Sequence, residues 1–280
     1  MLRLQLKRIF RRKKKKSFNE KDREKVLSQD TPFAIREAYN SIRTNLMFSG
    51  KGEDCPVFVV TSAQPNDGKS INCLNLAVSF AQAGKKVLLI DGDMRNPTVN
   101  RYLKKKSEGG LSEYLAGISR SVEIRQTDVK DLYFITAGAI PPNPAELLAG
   151  ERLGELLEEL KKDYECIFID TPPVEAVTDS SLLVPVATGF IFIVQAEKSD
   201  LTVLEHSVAV MEQLGAPIAG FILNKVNAKK QGYYKRYSRY NSYYYKYGSR
   251  YGYGKRDGAY GYGYGYGKPA ERGTDSVSDH

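Results

Sequence analysis

The sequence is poor in cysteine and contains no long apolar run. Its three cysteines, Cys55, Cys73 and Cys166, have no CxxC or metal-ligand spacing, and their odd number argues against a disulfide framework. No apolar run approaches the roughly 18–20 residues of a membrane-spanning helix, and the start does not resemble a signal peptide. We therefore expect a protein of a reducing, cytoplasmic compartment.

Charge is distributed unevenly along the 280 residues. Residues 1–16 carry nine Lys and Arg and no acid, and residues 229–272 carry eleven Lys and Arg against two acids. Because the net charge of the whole chain is +9, residues 17–228 carry about −7. An acidic body with basic ends differs from a uniformly basic nucleic-acid-binding protein. We therefore do not expect nucleic acid as the main partner.

The shifts in composition divide the chain into three regions. They are a basic leader at 1–27, a folded domain at 28–228 and a disordered tail at 229–280, which lacks hydrophobic periodicity. Four apolar residues of the leader fall on one helical face, so the leader either lies on an anionic membrane surface or is simply disordered. They are Leu2, Leu6, Ile9 and Phe10.

A strand, a turn and a helix follow one another around residues 57–70, with the sequence VFVVTSAQPNDGKS. This layout, with Gly-Lys-Ser before a helix, is typical of a phosphate-binding loop. Backbone N–H groups face the anion, the lysine reaches the phosphates and the serine ligates Mg²⁺. The alternative is a solvated Lys-Ser pair at a helix start. The predicted nucleotide-binding residues are Pro65, Asn66, Asp67, Gly68, Lys69, Ser70 and Ile71.

The loop departs from the usual pattern at two positions. Ala63 stands where the pattern has its first glycine, and Asn66 replaces a second glycine. Asparagine is the non-glycine residue that best tolerates a positive φ angle. The turn can therefore still form with Asn66 at this position.

Carboxylates follow two further apolar strands. Asp91 and Asp93 come after a strand at 86–90, and Asp170 begins an Asp-Thr-Pro-Pro sequence after another apolar strand. Side chains at the carboxyl ends of parallel strands project into the crevice where α/β sheets bind ligands, and Mg²⁺ prefers such oxygen ligands. The alternative for the first pair is an Asp-rich turn in which Arg95 forms a salt bridge.

Strand and helix patterns alternate over the rest of the domain. This alternation predicts a doubly wound α/β fold with a mostly parallel sheet and helices on both faces. Further strands are expected at 132–136, 190–195 and 218–223, and helices at 32–48, 111–116, 145–162, 178–187 and 200–214.

Fourteen of the nineteen tyrosines lie in the tail, interleaved with Lys, Arg and Gly. Such a segment could stack on single-stranded nucleic acid or act as a sticky low-complexity segment. Because it is joined to a nucleotide-binding domain, we favour a third reading, in which its hydroxyls accept phosphate. The candidate acceptors are Tyr233, Tyr234, Tyr237, Tyr240, Tyr243, Tyr244, Tyr245, Tyr247, Tyr251, Tyr253, Tyr260, Tyr262, Tyr264 and Tyr266.

Together these motifs resemble the bacterial tyrosine kinases of P-loop type that regulate capsule and exopolysaccharide production, in the form without a transmembrane segment. The resemblance covers about residues 28–228 and the tyrosine cluster. It includes the helical EAYNSIR segment, where Glu37, Asn40 and Arg43 match the family's oligomerisation motif Glu-x-x-Arg-x-x-Arg except at Asn40.

The resemblance implies a mechanism in which ATP and Mg²⁺ are the cofactors. Lys69 would hold the phosphates, Ser70 would ligate Mg²⁺, Asp93 and Asp170 would order its water shell, and Asp91 would receive or orient the phenolic proton. The acceptors would be tail tyrosines of a neighbouring subunit. The resemblance also implies a homo-oligomer at the inner face of the membrane, a membrane-embedded activator and a cognate tyrosine phosphatase.

Two other function classes remain open at this point. A partner-positioning ATPase of the division or partition type shares these motifs, but its loop carries an extra lysine where this chain has Gln64. An ATPase that switches a nucleic-acid- or polymer-binding tail would bind single strands in a salt-sensitive manner.

Overall fold

The structure, a computed structural model, describes residues 20–50 and 52–226. The first nineteen residues of the basic leader and the tyrosine cluster therefore lie outside the described residues. The strands are β1 (Val57–Ser62), β2 (Val87–Asp91), β3 (Arg125–Gln126), β4 (Leu132–Ile135), β5 (Cys166–Asp170), β6 (Gly189–Gln195) and β7 (Ile218–Asn224). The helices are α1 (Phe33–Ser49), α2 (Lys69–Gln82), α3 (Val99–Tyr102), α4 (Leu111–Leu115), α5 (Pro144–Ala149), α6 (Glu151–Leu160) and α7 (Leu201–Gln213). Two 3-10 helices span Glu20–Lys25 and Ser181–Val186.

The strands form one sheet in the order β3-β4-β2-β5-β1-β6-β7. All neighbouring pairs are parallel except the short edge strand β3, which pairs antiparallel with β4. The predicted doubly wound α/β fold of P-loop NTPase type is confirmed. In this order β2, β5 and β1 lie side by side, so the segments that follow them meet at one edge of the sheet.

Both faces of the central strands β2, β5 and β1 are buried, as the continuous apolar strands predict. On β1, Val57 and Val59 pack into a core that also contains Leu156 of α6, whereas Phe58 and Val60 pack into the core on the opposite face. The second core includes much of α2, ten of whose residues are buried. The helix that follows the phosphate loop is thus held firmly against the sheet.

Three sequence expectations about helices are wrong in detail. The helix expected at 145–162 is divided at Gly150, whose extended backbone (φ −73°, ψ 153°) interrupts the helical conformation. The helix expected at 178–187 is the shorter 3-10 helix, which contains Pro185, a residue that cannot donate an α-helical hydrogen bond. The first helix begins at Phe33 after Pro32, one residue later than expected.

All three cysteines are buried free thiols, as expected for a chain without a disulfide framework. Within residues 20–50 and 52–226, no helix combines the length and the apolar character needed to cross a membrane.

Candidate nucleotide-binding site

The phosphate loop connects the end of β1 to the first turn of α2. Two residues of the loop have positive φ angles, Asn66 at 72° and Gly68 at 100°. The turn thus forms with Asn66 in place of a glycine, in the positive-φ region that asparagine tolerates. Lys69 and Ser70 open the fourteen-residue helix α2, whose first N–H groups lack helical partners and create a positive end that favours phosphate.

Residues that follow β6 and residues at the end of β7 form hydrogen bonds with the phosphate loop. Ser199 donates its hydroxyl to Oδ1 of Asp67 at 2.9 Å, and Asn224 donates its amide to the Asp67 carbonyl at 2.7 Å. Lys225 donates to the carbonyl of Asn66 at 3.1 Å. The loop therefore keeps its shape through tertiary contacts, although it has fewer glycines than the usual pattern.

The lysine of the loop faces two carboxylates at the ends of neighbouring strands. Its Nζ lies 2.7 Å from Oδ2 of Asp93 and 3.8 Å from Oδ1 of Asp170. Asp91, the last residue of β2, is the register partner of Asp170 on β5. All three carboxylates are buried, with exposures of 0–3%. The sheet thus brings together the four predicted catalytic residues, because β2, β5 and β1 are adjacent.

Burial shifts the ionisation of these groups. Burial and the charges of Asp170 and Asp93 raise the pKa of Asp91 well above its usual value. Burial raises the pKa of Asp170 to about 6, against the opposing effect of Lys69. Burial lowers the pKa of Lys69, but the charges of Asp170 and Asp93 outweigh burial and raise it. Three buried carboxyl groups thus face one ammonium group, and the site favours a bound cation, either a proton or a metal ion.

The donor set suits a nucleotide carrying Mg²⁺. Both carboxylate oxygens of Asp170 and Oδ1 of Asp91 are buried without a hydrogen-bond partner, which is costly unless a ligand completes them. Among the described residues, no group of three His, Cys, Asp or Glu side chains is placed to hold a metal alone.

A second ion pair joins the loop after β2 to the loop after β5. Arg95 donates two hydrogen bonds to Asp179, at 2.8 and 2.9 Å, and the Asp179 carboxylate is fully buried. The next residue, Ser180, donates to Oγ1 of Thr171 at 3.0 Å and to the carbonyl of Pro172 at 2.6 Å. An Arg95 salt bridge was the alternative to a carboxylate site at Asp91 and Asp93. The structure has both the salt bridge and the carboxylate cluster.

The EAYNSIR segment lies on α1, which packs against α2. Asn40 donates to Glu37 at 2.8 Å and accepts from Arg43 at 3.1 Å. Arg43 also donates to the carbonyl and the hydroxyl of Ser79 on α2, at 2.7 and 3.0 Å. A neutral asparagine can thus connect the glutamate and the arginine of the motif within one chain.

Comparisons with known proteins give the family. A family model of the AAA domain matches residues 59–214. Tyrosine-protein kinase CpsD of Streptococcus agalactiae is 36% identical over 223 residues, which are 79% of this chain and 90% of CpsD. Tyrosine-protein kinase YwqD of Bacillus subtilis is 34% identical over 223 residues, 79% of this chain and 94% of YwqD.

The chain belongs to the bacterial tyrosine kinases. Solved structures agree with this assignment. The crystal structure of the chimerical protein CapA2B2 matches with a TM-score of 0.68 and 34% identity, over 72% of this chain and 90% of that chain. The kinase domain of Escherichia coli tyrosine kinase ETK matches with a TM-score of 0.66 and 33% identity, over 68% of this chain and 75% of that chain. The protein is a nucleotide-binding tyrosine kinase.

The positioning ATPases are more distant from this kinase. The septum site-determining protein MinD of Pyrococcus horikoshii, complexed with Mg-ADP, has a TM-score of 0.54 and 26% identity, over 63% of this chain and 72% of that chain. In this kinase the side chain of Gln64 accepts a hydrogen bond from the backbone N–H of Asp200 at 3.2 Å.

Sequence reasoning missed several residues that shape the site of this kinase. Asp179, Ser199 and Asn224 each contact a loop of the site from a distant part of the chain. The only sequence signal for them is their position shortly after an apolar strand or motif, which many residues share. The tail tyrosines predicted as acceptors lie outside the described residues.

Proposed function

We propose that this kinase binds ATP with Mg²⁺ and phosphorylates the tyrosine cluster of its own tail, in a neighbouring subunit of a homo-oligomer. The observation that supports it most directly is the cluster of Lys69, Asp93 and Asp170 at the carboxyl ends of adjacent strands. Fourteen tyrosines follow in the same chain after the folded domain, which makes them an acceptor at high local concentration.

Each residue of the site has a role in this proposal. Lys69 would bind the phosphates of ATP, and Ser70, Asp93 and Asp170 would hold the Mg²⁺, directly or through water. Bound ATP would supply the transferred phosphoryl group, and Mg²⁺ would neutralise part of the negative charge on that group. Asp91 receives the proton of the acceptor phenol at Oδ1, since its other oxygen already accepts from the backbone N–H groups of Thr98 and Val99.

Assembly through α1 is part of the same proposal. Ile35, Met47 and Phe48 on this helix are 48%, 50% and 70% exposed, and exposed apolar side chains on one helix are a feature of protein interfaces. The motif residues Glu37, Asn40 and Arg43 are half-buried on the same helix. A subunit bound there would bring a neighbour's tail to the site.

We infer further that the kinase regulates capsular or exopolysaccharide synthesis together with a transmembrane activator and a tyrosine phosphatase, at the inner face of the membrane. The chimerical composition of CapA2B2 supports a second protein component. The basic leader is a candidate for additional contact with anionic lipid.

Phosphotyrosine mapping in the native cells tests the acceptor. We expect phosphate on tyrosines 233–266 of the wild-type chain and none in the Lys69→Met or Asp170→Asn variant, with circular dichroism confirming that both variants fold. An unmodified tail in the wild type, with nucleotide hydrolysis intact, would contradict the proposal and favour the positioning ATPase.

A two-chain experiment tests transfer between subunits. One chain carries Lys69→Met and an intact tail, and the other has an intact site and all fourteen tail tyrosines replaced by phenylalanine. Phosphate on the inactive chain is expected only when the two are coexpressed. If the inactive chain carried no phosphate although the wild-type tail is phosphorylated, the transfer would take place within one chain.

A further inference from the structure

Helix α2 carries a row of polar residues on the face that it turns toward α1. Asn72, Asn75 and Ser79 lie on one side of the helix, and Gly68, the residue before its first turn, continues the same spacing of three and four residues. Asn72 and Asn75 are only 3% exposed. A buried amide is costly unless each polar atom has a partner, so the partners of these two asparagines are informative.

The partners form a chain of hydrogen bonds that ends at the phosphate loop. The hydroxyl of Tyr39 on α1 donates to Oδ1 of Asn72 at 2.9 Å. The amide nitrogen of Asn72 donates to the carbonyl of Gly68 at 2.8 Å. Tyr39 in turn accepts from the amide of Asn75 at 3.1 Å.

The segment before α1 is joined to the same network. The backbone N–H of Leu27 donates to Oδ1 of Asn75 at 2.8 Å, and the amide of Asn75 donates to the carbonyl of Lys25 at 2.9 Å. Asn75 thus fixes this segment and the Tyr39 hydroxyl at the same time. The network links three parts of the chain to one face of the phosphate-loop helix.

The hydroxyl of Tyr39 decides which way the Asn72 amide points. An asparagine side chain has an oxygen that accepts and a nitrogen that donates, and the two ends are nearly equal in shape. Because Tyr39 donates to the oxygen, the nitrogen is directed to the Gly68 carbonyl. Without the hydroxyl, the buried oxygen of Asn72 loses this partner, and the Gly68 carbonyl alone holds the amide in its orientation.

The Gly68 carbonyl belongs to the peptide unit whose N–H is that of Lys69, the first residue of α2. Gly68 has a φ angle of 100°, and its carbonyl also accepts the first hydrogen bond of the helix, from the N–H of Asn72 at 3.1 Å. The orientation of this peptide unit determines whether its N–H faces a bound phosphate. A contact on α1 therefore acts on phosphate binding through two side chains.

We propose that Tyr39 is a positioning residue for nucleotide binding, which acts through Asn72 on the Gly68 carbonyl and so couples the position of helix α1 to the phosphate loop. The coupling concerns the nucleotide site alone and holds whether or not the tail is the phosphate acceptor. A displacement of α1 by a partner or a second subunit weakens the Tyr39–Asn72 bond and lowers nucleotide affinity.

Nucleotide binding to the full chain tests the proposal. The dissociation constant of fluorescent ADP with Mg²⁺ is measured for Tyr39→Phe and for Tyr133→Phe, a matched control whose half-buried ring packs against Tyr164. We expect Tyr39→Phe to weaken ADP binding by about three- to ten-fold, as for one lost hydrogen bond, with the control within about two-fold of wild type. Equal effects of the two substitutions would overturn the proposal.

A double-mutant cycle separates positioning from general stability. The effect of Tyr39→Phe on ADP affinity is measured in the wild-type protein and in the Asn72→Ala variant. If Tyr39 acts through Asn72, the effect in the variant is less than half of the effect in the wild type. The proposal would be overturned if the effects of the two substitutions on ADP affinity were fully additive. It would also be overturned if Tyr39→Phe lowered the melting temperature of the nucleotide-free protein but left ADP affinity unchanged. If Asn72→Ala does not fold, Asn72→Asp replaces it. Asn72→Asp keeps the acceptor for Tyr39 and removes the donor to Gly68.

Discussion

The Nζ of Lys69 donates to Oδ2 of Asp93 at 2.7 Å, within a site where it faces three buried carboxylates. The side chain of Lys69 is only 12% exposed, so water screens this interaction little. The lysine that binds phosphate in our proposal is therefore also the cation that makes the buried carboxylates of the nucleotide-free protein tolerable.

Replacement of this lysine should destabilise the fold as well as abolish nucleotide binding. We expect Lys69→Met to lower the free energy of unfolding by about 3–5 kcal/mol, as for a buried ion pair that loses one partner. Lys85→Met is the matched control, because its partner Glu165 is 45% exposed, and it should cost about 1 kcal/mol or less. Urea denaturation measures both, and equal losses would contradict the argument.

The stability of the nucleotide-free protein should rise as the pH falls from 7 to 5.5. Burial raises the pKa of Asp170 to about 6, whereas an unfolded aspartate titrates near ~3.9. The folded protein therefore binds more protons than the unfolded chain between these values, and linkage makes folding more favourable as pH falls through about 6. Carboxylates with lowered pKa values, such as Glu113 and Glu165, lose their contribution only at lower pH.

Asp170→Asn checks the origin of this pH dependence. The substitution removes the buried charge, so we expect higher stability at pH 7 and a smaller change in stability between pH 7 and 5.5. It should also remove Mg²⁺-dependent nucleotide binding. Denaturation curves at the two pH values measure the effect, and an unchanged slope in the variant would count against Asp170 as the group responsible.

The two left-handed residues of the phosphate loop should differ in their sensitivity to substitution. A Cβ atom on Gly68 would lie 2.3 Å from the amide nitrogen of Asn224, so Gly68→Ala should weaken nucleotide binding at least about ten-fold through strain and collision. Asn66→Gly should leave affinity within about two-fold, since glycine adopts its φ of 72° readily.

Gly84→Ala is the control for the backbone strain alone. Gly84 has a φ of 85°, but no atom lies within 4 Å of its Cβ position. We expect about 1 kcal/mol of lost stability and normal nucleotide binding, measured by thermal unfolding and titration with fluorescent ADP. A similar loss of affinity in Gly84→Ala and Gly68→Ala would show that the collision with Asn224 is unimportant.

The Arg95–Asp179 pair should behave as one unit. Arg95→Ala leaves the fully buried Asp179 carboxylate without its cation, so we expect a loss of about 2–4 kcal/mol in unfolding free energy, since Arg95 is partly hydrated. The double variant Arg95→Ala/Asp179→Asn should be more stable than Arg95→Ala alone, because the uncompensated charge is gone. Urea midpoints measure the difference, and a double variant less stable than Arg95→Ala would refute the argument.

Short apolar segments of the sequence were enough to predict the buried strands and the residues at their ends. The apolar runs that end at Asp91 and Asp170 predicted their strands, and parallel pairing then required the carboxylates to lie near each other at one edge. The residue type of Asn66 also indicated that the loop could form without a glycine at this position. These features depend on short segments and on one general rule of sheet construction.

Features that depend on contacts between distant segments were not predictable in this way. Asp179 is paired because Arg95 lies opposite it in the fold, and nothing near Asp179 in the sequence specifies a cation. The division of α5 from α6 at Gly150 and the 3-10 helix with Pro185 also escape hydrophobic periodicity, since the apolar spacing alone does not distinguish a continuous α-helix from these alternatives.

The position of β5 between β2 and β1 also orders events during synthesis of the chain. Lys69 and Asp93, which follow β1 and β2 in the sequence, are synthesised early. Strand β5, which lies between β1 and β2 and supplies Asp170, is synthesised later. At about 5–20 residues per second, roughly 4 to 16 seconds pass between the addition of Asp91 and that of Asp170. In this interval the nascent chain has the phosphate loop without the strand beside it. A kinase of this topology cannot acquire its nucleotide site on the ribosome until most of its folded domain has been made.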